Sequence, residues 1–133
     1  MSRVSSETDL VDAYRALLSQ HARITCAMDR ELKAHDLGMS EFEVLERLYT
    51  QGCKKRRVQE LADAVHLSQS ALSRVIGRLE KDGLVLRAMC AEDRRGIFVE
   101  LTEEGRARYE AAKPVHREVL ARILADGADG ESC

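Results

Sequence analysis

Residues 68–84 read SQSALSRVIGRLEKDGL. Leu72, Val75, Ile76 and Leu79 recur at three- and four-residue steps, the spacing of one buried face of a helix. Ser70, Ser73, Arg74, Gly77 and Lys81 share another face, and no carboxylate interrupts it. Solvated helix faces ordinarily mix Glu with Lys, because opposite charges four residues apart support the helix. A basic, small-residue face without acids calls for a different explanation.

The flanking residues supply one. A short helix over about Val58–Val65, with Val58, Leu61, Ala62 and Val65 inward, runs into the tight turn His66-Leu67-Ser68. Ser68 suits the N-cap of the helix that follows, so the pair forms a helix-turn-helix. Asp82-Gly83 stops the second helix, and two β-like runs, Leu84–Cys90 and Ile97–Leu101, flank the charged segment AEDRRG. Helix, turn, helix and hairpin in that order make a winged helix-turn-helix, whose second helix enters the DNA major groove. Small Ser70 and Ser73 and bare Gly77 then let the backbone approach, and Arg74 is long enough to reach a guanine edge. Gln69 and Arg78 extend the same surface, and Asp93, Arg94 and Arg95 at the hairpin tip fit a minor-groove or backbone probe. Asp93 is read as holding an arginine in a fixed orientation.

Further out, an apolar stripe from Leu10 to Leu32 marks a long first helix over 7–36. One small neighbour cannot cover a stripe of that length, so part of it is expected to meet a second subunit. Ser40 with Glu43 has the spacing of a capping box and opens a second helix. KKRR at 54–57 reads as a basic loop in which Arg56 and Arg57, with Lys81, are candidate phosphate contacts. Thr102, followed by Glu103 and Glu104, begins a last helix over 103–124. Pro114 lies inside it, where a kink or two abutting helices are expected. The tail beyond Leu124 is polar.

At 133 residues the chain is expected to form one domain over 1–133. Its formal net charge of −2 hides a division. Residues 54–95 carry ten Lys and Arg against six Asp and Glu, and the remainder eleven against seventeen. An acidic frame with a basic middle suits a polyanion-binding surface. Cysteines 26, 53, 90 and 133 show no CxxC pair and read as isolated reduced thiols. His21, His35, His66 and His116 have no metal-ligand spacing, so no metal and no cofactor is expected. No apolar run or signal segment appears at the N-terminus, so a cytoplasmic location without membrane partners is expected. There is no nucleophile elbow, phosphate-cradling glycine loop or HExxH, which argues against an enzyme.

The run ELADAVHLSQSALSRVIGRLEKDGLVLR, followed by DRRGIFVELTEEGR, resembles the MarR family of winged-helix transcription regulators. Three signals occur in order: the ELA helix, the L-S-R-x-I-x-R-L-E-x-x-G-L-V helix, and the D-R-R wing ending in L-T-x-x-G. The resemblance implies a mainly α fold with a small β-hairpin wing. A winged helix-turn-helix over 40–101 would sit between long terminal dimerisation helices. It further implies a homodimer on a pseudo-palindromic double-stranded DNA operator, released by a small molecule of phenolic or aromatic type or by an oxidant. Carried over by position, Ser70, Ser73 and Arg74 face the groove and Arg95, held by Asp93, is the wing-tip arginine. The chain departs from the family where Arg56-Arg57 replaces a hydroxyl cap, and where it ends soon after Leu124 without a further helix. The competing readings are a thiol-based redox regulator acting through Cys26, with Cys26 otherwise an inert thiol, and a winged helix used as a protein-interaction module.

Overall fold

The computed structural model describes the backbone of residues 6–50, 55–90 and 93–125, and within these the side chains of all but residues 55, 56, 89, 90 and 93–97. Helix α1 spans Glu7–Leu32, with Ser6 Oγ accepting from the Asp9 amide at 3.1 Å. Glu7 and Asp9 in its first turn complement the positive end of the helix. Its apolar stripe reaches the core only late: Ala27, Met28 and Leu32 are buried, whereas residues 6–19 are exposed. A 3₁₀ turn, Lys33–His35, and Asp36 at φ 56° redirect the chain.

Helix α2, Met39–Thr50, buries Phe42, Val44, Leu45 and Leu48. The capping box expected at Ser40 and Glu43 lies elsewhere. Glu41 Oε1 accepts from the Gly38 amide at 2.6 Å, and Asp29 Oδ1, from α1, accepts from the Met39 amide at 2.8 Å. Gly38 has no hydroxyl with which to cap, so a distant carboxylate does it, and Glu43 instead pairs with Arg47 at 3.2 Å.

The KKRR segment also differs from expectation. Lys55–Arg57 forms strand β1, which pairs antiparallel with β3, Asp93–Leu101, and β3 pairs with β2, Val85–Cys90. The sheet order is β1-β3-β2, so the hairpin is the larger part of a three-stranded sheet. Asp93, Arg94 and Arg95 belong to β3 rather than to a turn, with an irregular register at Met89/Cys90. Their side chains lie outside those described, as does that of Arg56.

Helices α3, Val58–Val65, and α4, Gln69–Lys81, meet at His66, which takes the left-handed conformation at φ 59°. That conformation ends α3 and is uncommon outside glycine and Asn. Gly83, at φ +76°, performs the corresponding turn after α4.

Helix α5, Glu103–Leu120, is capped by Thr102, whose Oγ1 accepts from the Gly105 amide at 2.9 Å and donates to the Gly83 carbonyl at 2.7 Å. This is the physical content of the L-T-x-x-G signal: one hydroxyl caps a helix and ties it to the turn before the wing. The helix continues through Pro114 as one element rather than as two abutting helices, and a π-helical turn, Ala121–Ala125, follows it. Buried residues of α1 to α5 and of the sheet form one hydrophobic core around Leu45, Leu61, Leu72, Ile76 and Tyr109. The architecture is the mainly α fold with a β wing that the sequence predicts.

Candidate nucleic-acid interface

The buried residues of α4 are Leu72, Val75, Ile76 and Leu79, which fasten the helix to the core. Its other side is open: Gln69, Ser70, Ser73, Arg74, Arg78 and Lys81 are all exposed. Ser68 Oγ caps the helix by accepting from the Ala71 amide at 3.1 Å. No acidic residue stands in the first turn, so the positive end of the helix is left to an external anion. A methyl group at Gly77 would meet no atom within 4 Å, so no internal packing demands glycine there. The space it leaves is outside the fold, where a close-approaching backbone would use it.

The arginines of this surface differ in freedom. Arg74 is exposed and has no ion-pair partner among the described residues. Arg78 Nε lies 3.4 Å from Glu41 Oε2, the carboxylate whose other oxygen caps α2. Arg87, on β2, approaches Glu80 at 3.3 Å and the Ser73 carbonyl at 3.5 Å, which draws it along the flank of α4. Arg87 is not among the residues expected at this surface from the sequence, although its place between two apolar strand residues marks it as outward-facing. Arg57 lies over the Phe98 ring, 5.9 Å from its centroid, which fixes it on the sheet beside the start of α3.

Behind the helix-turn-helix, α5 and α2 are joined by a polar cluster. Glu46 Oε1 accepts from Tyr109 Oη at 2.9 Å and from Arg117 Nη2 at 2.7 Å. Arg117 Nη1 can only donate, so His116 Nδ1, 2.6 Å away, accepts, and the neutral imidazole carries its proton on Nε2. His116 is buried and stacks on Phe42, with ring centroids 4.3 Å apart. Burial, and then the Arg117 charge, hold its pKa below the usual value despite Glu46. Burial would raise the Glu46 pKa, but the hydrogen bonds from Arg117 and Tyr109 and the nearby positive charge outweigh it and the pKa falls. The Tyr109 hydroxyl is pushed up to about 12 by burial and by its bond to Glu46.

Glu46, His116 and Arg117 of this cluster line a half-open cavity of about 800 Å³ between α1, α2, α5 and the turn that joins α3 to α4. His66 and Leu67 of that turn line it directly, so whatever fills the cavity touches the residue that sets the start of α4. Cys26, on α1, is disulfide-bonded, which corrects the expectation of a reduced thiol. Chain spacing does not report distance in the fold. Among the described residues no group of His, Cys, Asp and Glu is placed to hold a metal, and no helix is long and apolar enough to cross a membrane.

The fold has counterparts among solved structures. The crystal structure of AbsC, a MarR family transcriptional regulator from Streptomyces coelicolor, is 32% identical, covering 98% of this chain and 87% of that one with a TM-score of 0.81. The family model for the MarR family matches residues 37–97. The chain belongs to the MarR family. A second MarR family regulator from Streptomyces coelicolor, Sco3205, whose structure is in complex with DNA, is 26% identical with a TM-score of 0.82, covering 98% of this chain and 82% of that one. The HTH-type transcriptional regulator MhqR from Bacillus subtilis is 33% identical over 97 residues, 73% of this chain and 66% of that protein. The chain is a DNA-binding transcription regulator of the winged helix-turn-helix type. The family match spans α2 to β3, which is the region that carries α4 and the wing.

Proposed function

We propose that this MarR-family protein is a homodimeric repressor of a pseudo-palindromic operator, released by a small molecule in the cavity behind α4. The observation that carries the DNA-contact reading is the exposed, acid-free first turns of α4 on a helix anchored by four buried side chains. Gln69, Ser70, Ser73, Arg74 and Arg78 serve the major groove. Asp93, Arg94 and Arg95 serve the wing contact, and Arg56, Arg57 and Lys81 the phosphates. Repression requires only occupancy of a promoter. In the test, operator affinity is measured as salt is raised from roughly 50 to 200 mM, over which about six phosphate contacts per dimer cost about a thousandfold. Affinity indifferent to salt overturns the reading.

The dimer rests on α1, where Leu10, Val11, Tyr14, Leu17 and Leu18 are between 39% and 66% exposed. A contiguous apolar stripe of this kind is an interface rather than a solvated face. Leu17→Glu is expected to convert a sedimenting dimer into a monomer at micromolar concentration. A wild-type monomer, or a variant that stays dimeric, contradicts it.

Thiol sensing is a second reading, favoured by the disulfide at Cys26. It expects operator affinity to differ between oxidised and reduced wild type and to be indifferent to oxidant in Cys26→Ser. Equal affinity of oxidised and reduced wild type removes it.

A further inference from the structure

The wall of the cavity behind α4 carries three charged groups, Glu43, Glu46 and Arg117. Its one guanidinium is committed: Arg117 Nη2 to Glu46 at 2.7 Å and Nη1 to His116 Nδ1 at 2.6 Å. A carboxylate ligand that took Arg117 would strand Glu46, whose side chain is only 18% exposed, and would itself lie beside that stranded charge. Leaving a half-buried charge unpaired costs more than the new pair returns.

Glu43 presents the opposite case. Its partner Arg47 is not part of the cavity wall, and the pair is open to water, with side chains 33% and 39% exposed. Exposed pairs of this type are weak, so Glu43 can turn to a positively charged ligand at little cost. Thr25 Oγ1, also on the wall, is buried and has no hydrogen-bond partner. A buried hydroxyl without a partner is a site for a ligand polar group. Apart from His21, Ser40, His66 and His116, the rest of the wall is apolar and soft, with Met28, Met39 and Leu120, and methionine sulfur packs well against aromatic rings.

We infer that the cavity takes a flat, cationic aromatic amine or protonated nitrogen heterocycle, its charge on Glu43 and its ring against Met28 and Met39, in preference to an aromatic carboxylate. This rests on the reading of the cavity as the effector site, and refines it to a ligand class. The ring occupies the space between α1 and the turn at His66, so it bears on the start of α4.

The test compares two bicyclic probes of similar size, 4-aminoquinoline, a cation at neutral pH, and 1-naphthoate, an anion. Both are titrated calorimetrically into the full chain, alongside a separate operator-binding assay without probe. The expected result is 4-aminoquinoline bound at least about tenfold more tightly, with the preference abolished in Glu43→Gln and that variant still binding operator. Equal or tighter binding of 1-naphthoate overturns the ligand class and leaves the cavity as an effector site. Failure of both probes to bind overturns the inference together with the effector cavity, and leaves the DNA-binding reading to the operator assay.

Discussion

Arg74→Ala is expected to lower specific operator affinity by about 1–3 kcal/mol, roughly ten- to a hundredfold, and to relax the base preference at one position of each half-site. Arg74 stands out because it is exposed on the middle of α4 and carries no internal ion pair, so its whole donor set is available to a base edge. Arg78 and Arg87 are held near Glu41 and Glu80, at 3.4 and 3.3 Å, and their removal is expected to cost less in base discrimination. Arg95→Ala is expected to weaken binding evenly across sequences, as loss of a backbone or groove-shape contact does. Binding measured at fixed salt against operator and base-substituted operators separates the two patterns. An Arg74→Ala protein with wild-type affinity and preference contradicts the major-groove assignment.

The second large effect is on folding. Gly105→Ala places a methyl group 2.1 Å from the Leu84 carbonyl oxygen and 2.8 Å from Leu101 Cδ1. The Leu84 oxygen is backbone, and it also accepts from the Thr102 amide at 3.1 Å, so it cannot move aside without breaking the joint between wing and α5. The helix must instead lift from the sheet, costing about 3 kcal/mol of stability and lowering Tm by roughly 10 °C. Gly77→Ala is the matched control. No atom lies within 4 Å of the added methyl, so the substitution is expected to stabilise the fold by about 0.5–1 kcal/mol. Thermal unfolding of the two variants checks both signs. Equal stability of Gly105→Ala and wild type contradicts the packing described.

Helix α4 was legible because its two faces obey one period: apolar residues at 72, 75, 76 and 79 are buried, and Ser73, Arg74 and Arg78 between them are exposed. Ser68 and Thr102 were legible as caps because a hydroxyl before a helical run bonds the amide three residues on, and each does so. Strand β1 was not legible, since Lys55–Arg57 is three basic residues that become a strand only by pairing with Phe98 to Glu100. The cap of α2 was hidden because its acceptor, Asp29, lies ten residues back on another helix. The cluster of Glu46, Tyr109 and Arg117 escaped for the same reason. Nothing local distinguishes those residues from other charged or aromatic positions on helices, and only the packing of α5 on α2 brings them together.

The most direct test of the central claim is selection of bound sites from randomised double-stranded DNA by the wild-type protein and by Arg74→Ala in parallel. Wild type is expected to enrich a pseudo-palindrome whose half-sites lie about one helical turn apart, and Arg74→Ala to lose preference at one base of each half-site while still retaining DNA. Enrichment of no sequence by wild type, or of the same site with undiminished preference by Arg74→Ala, would contradict it.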